Sequence, residues 1–168
     1  EIMSFNLQPH KEKLLFLPLG GAGEIGMNVN LYHYKSKWLM VDCGAGFVDN
    51  YPGITMVVAD LQFIHRYKKD IVGLVITHAH EDHIGGVQYL WNEIECPIYA
   101  TKFTANFLKA RLAEYHFNKK PEINYIEPGS NLHLAPFNIE MASLTHSAPE
   151  MQALMIRTNT GNVLHTGD

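Results

Sequence analysis

The chain has only two cysteines among its 168 residues, and neither Cys43 nor Cys96 belongs to a CxxC pair. This excludes a disulfide scaffold and predicts buried thiols. No apolar run approaches the ~18 residues that a membrane span needs, and the N-terminus has neither a signal-peptide core nor an Arg-rich transit pattern. The sequence therefore predicts a soluble, cytoplasmic protein with no membrane partner.

The chain also lacks an excess of positive charge. It carries 13 Lys and Arg residues against 17 Asp and Glu residues, a formal net charge of -4. Because nucleic-acid-binding domains are usually basic, this composition does not indicate a general nucleic-acid surface, and any phosphate chemistry must come from a local site. Apolar residues make up 46% of the sequence, enough for the core of one domain over 1–168.

Histidine, by contrast, is abundant: the chain has ten, and three fall in the hexapeptide HAHEDH at residues 78–83. The almost entirely apolar run IVGLVI at 71–76 predicts a central strand, so the hexapeptide should lie at the carboxyl edge of a sheet, where ligands bind. His78 and His80 would point the same way along an extended segment, while Asp82 and His83 would follow in the turn and point elsewhere. The hexapeptide can therefore serve two metal ions.

The rest of the chain alternates short extended runs with helical patterns. Helices are predicted after Asp60, over 84–94 and after Thr101, and residues 45–59 predict a loop because they show no period. The last helix carries an apolar stripe that we assign to the core: Phe103, Phe107, Leu108, Leu112 and Tyr115. Extended runs predict strands at 14–18, 28–34, 38–41, 71–76, 98–100, 123–126, 132–134, 139–144, 153–157 and 163–166. Together these elements indicate an α/β protein with a mixed sheet and helices packed on it.

The segment GAGEIG at 21–26 matches the GxGxxG pattern of dinucleotide-binding folds and follows a predicted strand. In those folds the third glycine opens a helix whose N-terminus faces the pyrophosphate. The residues after Gly26, MNVNLYHY, alternate in hydrophobicity and predict a strand instead. We therefore interpret this segment as a glycine loop that lets the backbone pass close to a neighbouring site.

Four segments of the chain together resemble a known family. They are PLGGAGEIGMN at 18–28, THAHEDHIGG at 77–86, THSAPE at 145–150 and HTGD at 165–168. The second contains the HxHxDH signature of the metallo-β-lactamase superfamily, and the whole set resembles the ribonuclease J family, bacterial RNA-processing members of the β-CASP nuclease branch. The resemblance implies a metallo-β-lactamase fold, a four-layer αββα sandwich of which this chain would form the N-terminal part.

The same resemblance assigns site residues. It implies two divalent metal ions, zinc or manganese, bound by the hexapeptide and by residues at two later strand ends. The first ion would be held by His78, His80 and His146, and the second by Asp82 and His83, with Asp168 bridging both. Asp82 would also act as a catalytic residue that orients the attacking hydroxide, and Asp42 matches the acid that supports the histidine loop. Two roles stay open for Glu81: it is either a proton carrier or a solvated loop carboxylate.

The function that the resemblance implies is metal-dependent hydrolysis of RNA phosphodiesters by a hydroxide activated between the two ions. Cleavage would proceed as a 5′-to-3′ exonuclease, with an endonuclease mode left open, in RNA processing and decay. RNA is the expected partner, and a homo-oligomer, either a dimer or a tetramer, is expected for the longer protein.

Two other functions stay open from the sequence. One keeps the fold and hydrolyses a small thioester, lactone or β-lactam, and the other is a non-enzymatic metal or redox module of flavodiiron type. Ribonuclease J proteins continue past the aspartate that matches Asp168, through the β-CASP domain, a further metal-ligand histidine and the remainder of the fold. We therefore expect these 168 residues to be the first segment of a longer protein, inactive by themselves.

Overall fold

The computed structural model describes residues 12–50 and 52–168. Residues 1–11, where the sequence shows no signal-peptide core, lie outside this description, as does Tyr51. The helices are α1 (Gln62–His65), α2 (Glu81–Ile84), α3 (Val87–Ile94) and α4 (Lys102–Leu112), with a 3-10 turn at Lys68–Asp70. The strands are β1 (Leu15–Gly20), β2 (Val29–Tyr34), β3 (Lys37–Val41), β4 (Ala45–Phe47), β5 (Met56–Val58), β6 (Ile71–Val75), β7 (Ile98–Ala100), β8 (Ile123–Tyr125), β9 (Asn131–Leu134), β10 (Phe137–Ser143), β11 (Gln152–Thr158) and β12 (Gly161–His165). Among these residues, no helix is both long and apolar enough to cross a membrane.

The larger sheet is mixed and has the strand order β1-β2-β3-β6-β7-β8. The first three strands are antiparallel, whereas β3, β6, β7 and β8 run parallel. Parallel strands bring their carboxyl ends to one edge of the sheet, so Asp42 after β3 and His78 after β6 lie side by side there. This edge holds the hexapeptide, as the sequence predicts.

The smaller sheet is antiparallel and has the order β12-β11-β10-β9. In β10, Phe137, Ile139 and Met141 are buried, while Asn138 and Glu140 alternate with them and are exposed. Together with Leu154 and Ile156 of β11, these buried side chains form one core cluster with residues of the larger sheet: Tyr32, Tyr34, Leu39, Val41 and Val75. The two sheets therefore form a sandwich.

Helices cover the opposite face of the larger sheet. A second core cluster joins Trp38, Met40, Leu74 and Ile76 of the sheet region to Ile64, Trp91 and Leu108 of α1, α3 and α4. The predicted α/β class, a mixed sheet with helices packed on it, is confirmed. The described residues contribute one helical layer and two sheets to the four-layer arrangement that the resemblance implies.

The prediction of a loop over 45–59 was wrong in part, because β4 and β5 form a short antiparallel pair there. Each strand has three residues, which is too short for a period of two to appear in the sequence. The pair is tied to the glycine loop, since the Met27 N–H donates to the Ala45 carbonyl oxygen at 3.1 Å. The glycine loop and this pair therefore lie together.

The helix predicted over 84–94 is in fact two helices, and the first begins earlier, at Glu81. The break falls at Gly85 and Gly86. The Gly86 N–H donates to the Cys43 carbonyl oxygen at 2.9 Å, and a Cβ at Gly86 would lie only 2.6 Å from the Gly44 carbonyl oxygen. The helix is thus interrupted where residues 85–86 meet residues 43–44, and Asp82 and His83 lie on the short helix before the break.

The apolar stripe predicted on α4 was wrong for its two phenylalanines and for Tyr115, which lies beyond the end of α4 and is only half-buried. Phe103 and Phe107 are 42% and 43% exposed, whereas Leu108 and Leu112 are buried as predicted. The buried face of α4 also includes two small residues, Thr104 and Ala105. Because small side chains allow the helix to approach the sheet closely, the core-facing side is rotated away from the phenylalanines.

Candidate metal centre

The hexapeptide changes conformation between its histidines. Residues 77–80 continue beyond β6 in extended form, and His80 has φ -71° and ψ 152° directly before α2. His78 and His80 therefore share one side of the extended segment, while Asp82 and His83 stand on the first turn of α2. His78 is fully buried and His83 is 1% exposed, so both rings are fixed by their surroundings.

Three imidazoles and one carboxylate converge in a first cluster, formed by His78, His80, His146 and Asp168. His80 Nδ1 lies 3.0 Å from His78 Nε2 and 3.1 Å from His146 Nε2. Asp168 Oδ2 lies 3.8 Å from His78 Nε2 and 3.7 Å from His146 Nε2. Since His146 follows β10 and Asp168 follows β12, this cluster joins residues of both sheets.

A second cluster contains Asp82, His83 and again Asp168. His83 Nε2 lies 3.0 Å from Asp168 Oδ1 and 3.5 Å from Asp82 Oδ2. The two oxygens of Asp168 thus face different clusters, Oδ2 the first and Oδ1 the second. All six residues that the resemblance implies as ligands lie in these two clusters, and Asp168 belongs to both.

The spacings and the donor atoms fit divalent metal ions. Ligand atoms bound to one tetrahedral zinc ion at about 2.0–2.2 Å lie roughly 3.3–3.6 Å apart. The separations in the first cluster, 3.0 to 3.8 Å, bracket that range. The donors are imidazole nitrogens and carboxylate oxygens, a set that suits zinc and manganese alike.

Asp42 contacts the second cluster through His83. It is fully buried, and its carboxylate accepts hydrogen bonds from the Thr77 N–H at 2.8 Å and from the Thr77 hydroxyl at 2.9 Å. His83 Nδ1 lies 2.7 Å from Asp42 Oδ2, which leaves Nε2 facing the second cluster. Burial alone would raise the pKa of the Asp42 carboxyl, but the charge and hydrogen bond of His83 hold that pKa below its ordinary value. Asp42 is therefore an ionised group that orients a candidate ligand.

The two buried histidines of the hexapeptide differ in protonation. Burial, together with the nearby charge of His83, lowers the pKa of His78 to about 4. Burial would lower the pKa of His83 as well, but Asp42 and then Asp168 and Asp82 raise it to about 9. At pH 7 the His78 ring is neutral and can bind a metal directly. His83 must first release a proton from Nε2.

The glycine loop lies against the second cluster. As predicted, no helix follows Gly26, and the loop leads into β2. The Asn28 N–H donates to the Asp82 carbonyl oxygen at 2.9 Å, and a Cβ at Gly44 would collide with that same oxygen. A Cβ at Gly26 itself would lie 3.8 Å from the Asp82 Cβ, so the loop passes close to the second cluster, as predicted.

Asn28 and Thr77 are the residues that sequence reasoning missed. The Asn28 side-chain Nδ2 donates to the Asp82 carbonyl oxygen at 3.1 Å and to Asp82 Oδ2 at 3.2 Å, and it lies 3.2 Å from His83 Nε2. Both residues stand inside the segments that carry the resemblance, but neither is a typical metal ligand. Their positions within those segments were the only signal available.

Glu81, inside the hexapeptide, and Ser147, directly after His146, make contacts of their own. Glu81 Oε2 lies 2.7 Å from Arg111 Nη1, an ion pair that joins α2 to α4, and the Glu81 side chain is 28% exposed. Ser147 Oγ lies 3.4 Å from His80 Nε2, on the far side of that ring from the other cluster members.

Three further residues do not belong to the centre. His165 Nδ1 lies 2.9 Å from the Tyr32 hydroxyl, and burial lowers the pKa of His165. It belongs to neither of the two clusters found among the described residues. Cys43 and Cys96 are buried free thiols, as predicted, and burial raises the pKa of both.

A family model described as the metallo-beta-lactamase superfamily matches residues 23–168. The chain belongs to this superfamily. Two solved structures share its metallo-beta-lactamase fold. YhfI from Bacillus subtilis superposes with a TM-score of 0.62 at 20% identity, over 91% of this chain and 61% of that one. A protein of unknown function from Enterococcus faecalis V583 superposes with a TM-score of 0.69 at 21% identity, over 94% of this chain and 44% of that one.

Curated relatives of this metallo-beta-lactamase chain carry the name Ribonuclease J. The protein of Sinorhizobium meliloti is 43% identical over 162 residues, which cover 94% of this chain and 29% of that protein. Ribonuclease J of Helicobacter pylori is 33% identical over 97% of this chain and 25% of that protein, and that of Thermus thermophilus is 32% identical over 96% and 29%. The predicted resemblance is confirmed, and the chain spans less than a third of the length of these relatives.

We expect Asn28→Ala to weaken metal binding at the second cluster by about 10- to 100-fold, the usual effect of losing a partner that orients a ligand. The substitution removes the Nδ2 donor that holds the Asp82 carboxylate. Calorimetric titration with manganese or zinc would measure the change. Asn138→Ala, on the exposed face of β10, is the matched control, and equal affinities for the two variants would contradict the expectation.

Proposed function

We propose that this chain is the metal-binding part of a longer ribonuclease of the ribonuclease J type, which hydrolyses RNA phosphodiesters. The observation that carries the proposal is the pair of clusters that share Asp168, in a chain 43% identical to Ribonuclease J of Sinorhizobium meliloti over 162 residues. Enzymes that cleave phosphodiesters often use two ions about 3.5–4 Å apart, and a shared carboxylate suits that spacing.

We assign the ligands of the two ions as follows: His78, His80 and His146 to one, Asp82 and His83 to the other, and Asp168 to both. Zinc is favoured because three imidazoles meet in the first cluster, while the carboxylates of the second also suit manganese. When bound, such ions act as Lewis acids that lower the pKa of a water and neutralise charge developing on the phosphate.

Asp82 is the residue to which we assign proton transfer. Its Oδ2 lies 3.2 Å from Asn28 Nδ2 and 3.5 Å from His83 Nε2, and its side chain is 28% exposed. A carboxylate fixed at the open side of the cluster can accept a proton from the attacking water and align that water with phosphorus. The products would be a 5′-phosphate and a 3′-hydroxyl, because the ribose 2′-hydroxyl takes no part.

Asp42 and Thr77 position this machinery without touching the substrate. The hydrogen bonds that Thr77 donates keep the Asp42 carboxylate in place, and Asp42 keeps a proton on His83 Nδ1. The opposite nitrogen, Nε2, therefore always faces the second cluster.

For the full-length protein we also propose 5′-to-3′ exonuclease action, a cytoplasmic location and a homo-oligomer, either a dimer or a tetramer. The support is the similarity to relatives named Ribonuclease J. Light scattering of the purified protein measures the oligomer directly.

The full-length protein, expressed from its gene, tests the function. After metal depletion it receives zinc or manganese and is given 5′-monophosphorylated single-stranded RNA. The expected result is release of mononucleotides from the 5′ end only when metal is present, with two ions per chain by elemental analysis. Hydrolysis of a thioester, lactone or β-lactam by the same preparation, with RNA left intact, would replace the proposal with a small-molecule hydrolase.

A further inference from the structure

One face of α4 exposes aromatic rings. Phe103 and Phe107 are 42% and 43% exposed, although phenylalanine is usually buried. They stand four positions apart, so their rings lie on the same side of the helix. Tyr125 at the end of β8 is 52% exposed, and its hydroxyl donates to Asn106 Oδ1 of α4 at 2.7 Å. We refer to Phe103, Phe107 and Tyr125 as the aromatic rim.

The aromatic rim adjoins both segments that carry candidate metal ligands. The Phe103 N–H donates to Glu150 Oε2 at 2.9 Å, and Glu150 closes the THSAPE segment at 145–150. Two turns along α4, Arg111 Nη1 lies 2.7 Å from Glu81 Oε2 in the hexapeptide. Phe107 lies between these contacts, with the Arg111 guanidinium 5.2 Å from its ring centre. A ligand lying on the rim is therefore beside the metal centre.

Positive charge accompanies these rings. The helix Lys102–Leu112 contains no acidic residue and three cations, of which Arg111 is paired with Glu81, while Lys102 and Lys109 have no carboxylate partner among the ion pairs of the described residues. Lys109 Nζ lies 3.9 Å from the centre of the Tyr125 ring. Exposed aromatic rings interleaved with cations are the pattern of surfaces that bind single-stranded nucleic acid.

We propose that the aromatic rim binds single-stranded RNA by stacking its bases beside the metal centre. The inference rests on the proposed function, which supplies RNA as the substrate. Phe103 and Phe107 each stack on a base, while Lys102 and Lys109 neutralise phosphates along the strand. The rim residues are positioning residues, because they hold the strand and touch no reacting atom.

The test compares two substrates in the full-length, metal-loaded protein. One is a 5′-monophosphorylated RNA of about 12 nucleotides, within the range that stacking surfaces occupy, and the other is bis(p-nitrophenyl) phosphate, a phosphodiester without bases. Phe103→Ala and Phe107→Ala should each raise KM for the RNA by about 5- to 150-fold, the range for losing one base–aromatic stack. The loss in kcat/KM should be at least about fivefold larger for RNA than for the small diester.

Conservative and remote variants complete the test. Phe103→Tyr and Phe107→Tyr retain a ring and should restore the RNA KM, while Tyr89→Ala, which removes a 51% exposed ring from α3, should change neither substrate. Equal losses for the two substrates, or an unchanged RNA KM, would overturn the inference. An unchanged RNA KM with a lower Tm would identify the rim as a surface covered by protein. If the unaltered protein cleaves neither substrate, the proposed function itself fails.

Discussion

Asp168→Ala is expected to lower the metal content of the full-length protein from two ions per chain to one or none. Because the two carboxylate oxygens of Asp168 face different clusters, one substitution removes a ligand from both. RNA hydrolysis should fall by more than about 100-fold, the upper end of the range for residues that only support ligands. Elemental analysis and initial rates on 5′-monophosphorylated RNA measure the two effects.

Asp70→Ala is the matched control for this loss. The Asp70 side chain is 43% exposed against 38% for Asp168, and it lies at the opposite end of β6 in an ion pair with Lys37. Exposed pairs of this kind contribute about 0–1 kcal/mol, so activity should be retained.

His80→Ala removes a ligand from the first cluster alone and should spare metal in the second. Two ions retained per chain in Asp168→Ala would refute the shared-carboxylate arrangement.

Asp42→Asn is expected to destabilise the metal-free protein by about 3 kcal/mol near pH 6.5. Asparagine suits the position, because residue 42 has φ +61° and asparagine tolerates this conformation. The loss therefore comes from the carboxylate charge that faces the buried His83 ring. The His83 pKa shift from 6.5 to about 9 sets the upper limit of this loss in stability. In the variant, His83 can lose its proton and so need not remain as an unpaired charge. Urea unfolding would measure the change, with Asp70→Asn as a surface control.

The same pair predicts a pH dependence. The pKa of His83 is raised in the folded state from 6.5 to about 9, so its stabilising contribution is complete below pH 6.5 and is lost as the pH rises through about 9. Metal-free protein should therefore lose stability across that window, and Asp42→Asn should flatten most of the decline. Parallel curves for the two proteins would mean that another group is responsible.

The candidate ligands could be predicted because four of them lie within one hexapeptide directly after an apolar strand. Strand alternation then placed the imidazoles of His78 and His80 on one side. His146 and Asp168 could not be found by spacing, because they stand more than 60 residues further along the chain. They came from the family resemblance, and the fold brings them together because β10 and β12 end at the same edge as β6.

What the sequence could not predict depends on contacts between loops. Gly86 and Gly44 let two backbone segments touch beside the hexapeptide, and such an approach leaves no hydrophobic period in the sequence. Asn28 is a polar residue at the start of a strand, and nothing in its local pattern links it to Asp82. On α4 the apolar pattern was broad enough to fit two faces, and the small residues Thr104 and Ala105 decided which face is buried.

The position of the candidate centre across the two sheets has a mechanical consequence. The hexapeptide extends from the larger sheet, whereas His146 and Asp168 extend from the smaller one. Each of the two clusters takes residues from both sheets, so retention of a metal ion at either cluster would depend on how the sheets are aligned. Slippage of one sheet past the other by an ångström would spread the donor atoms beyond coordinating distance. Leu154 and Ile156 pack in the core between the two sheets, so that packing would help to determine how firmly a metal ion is held.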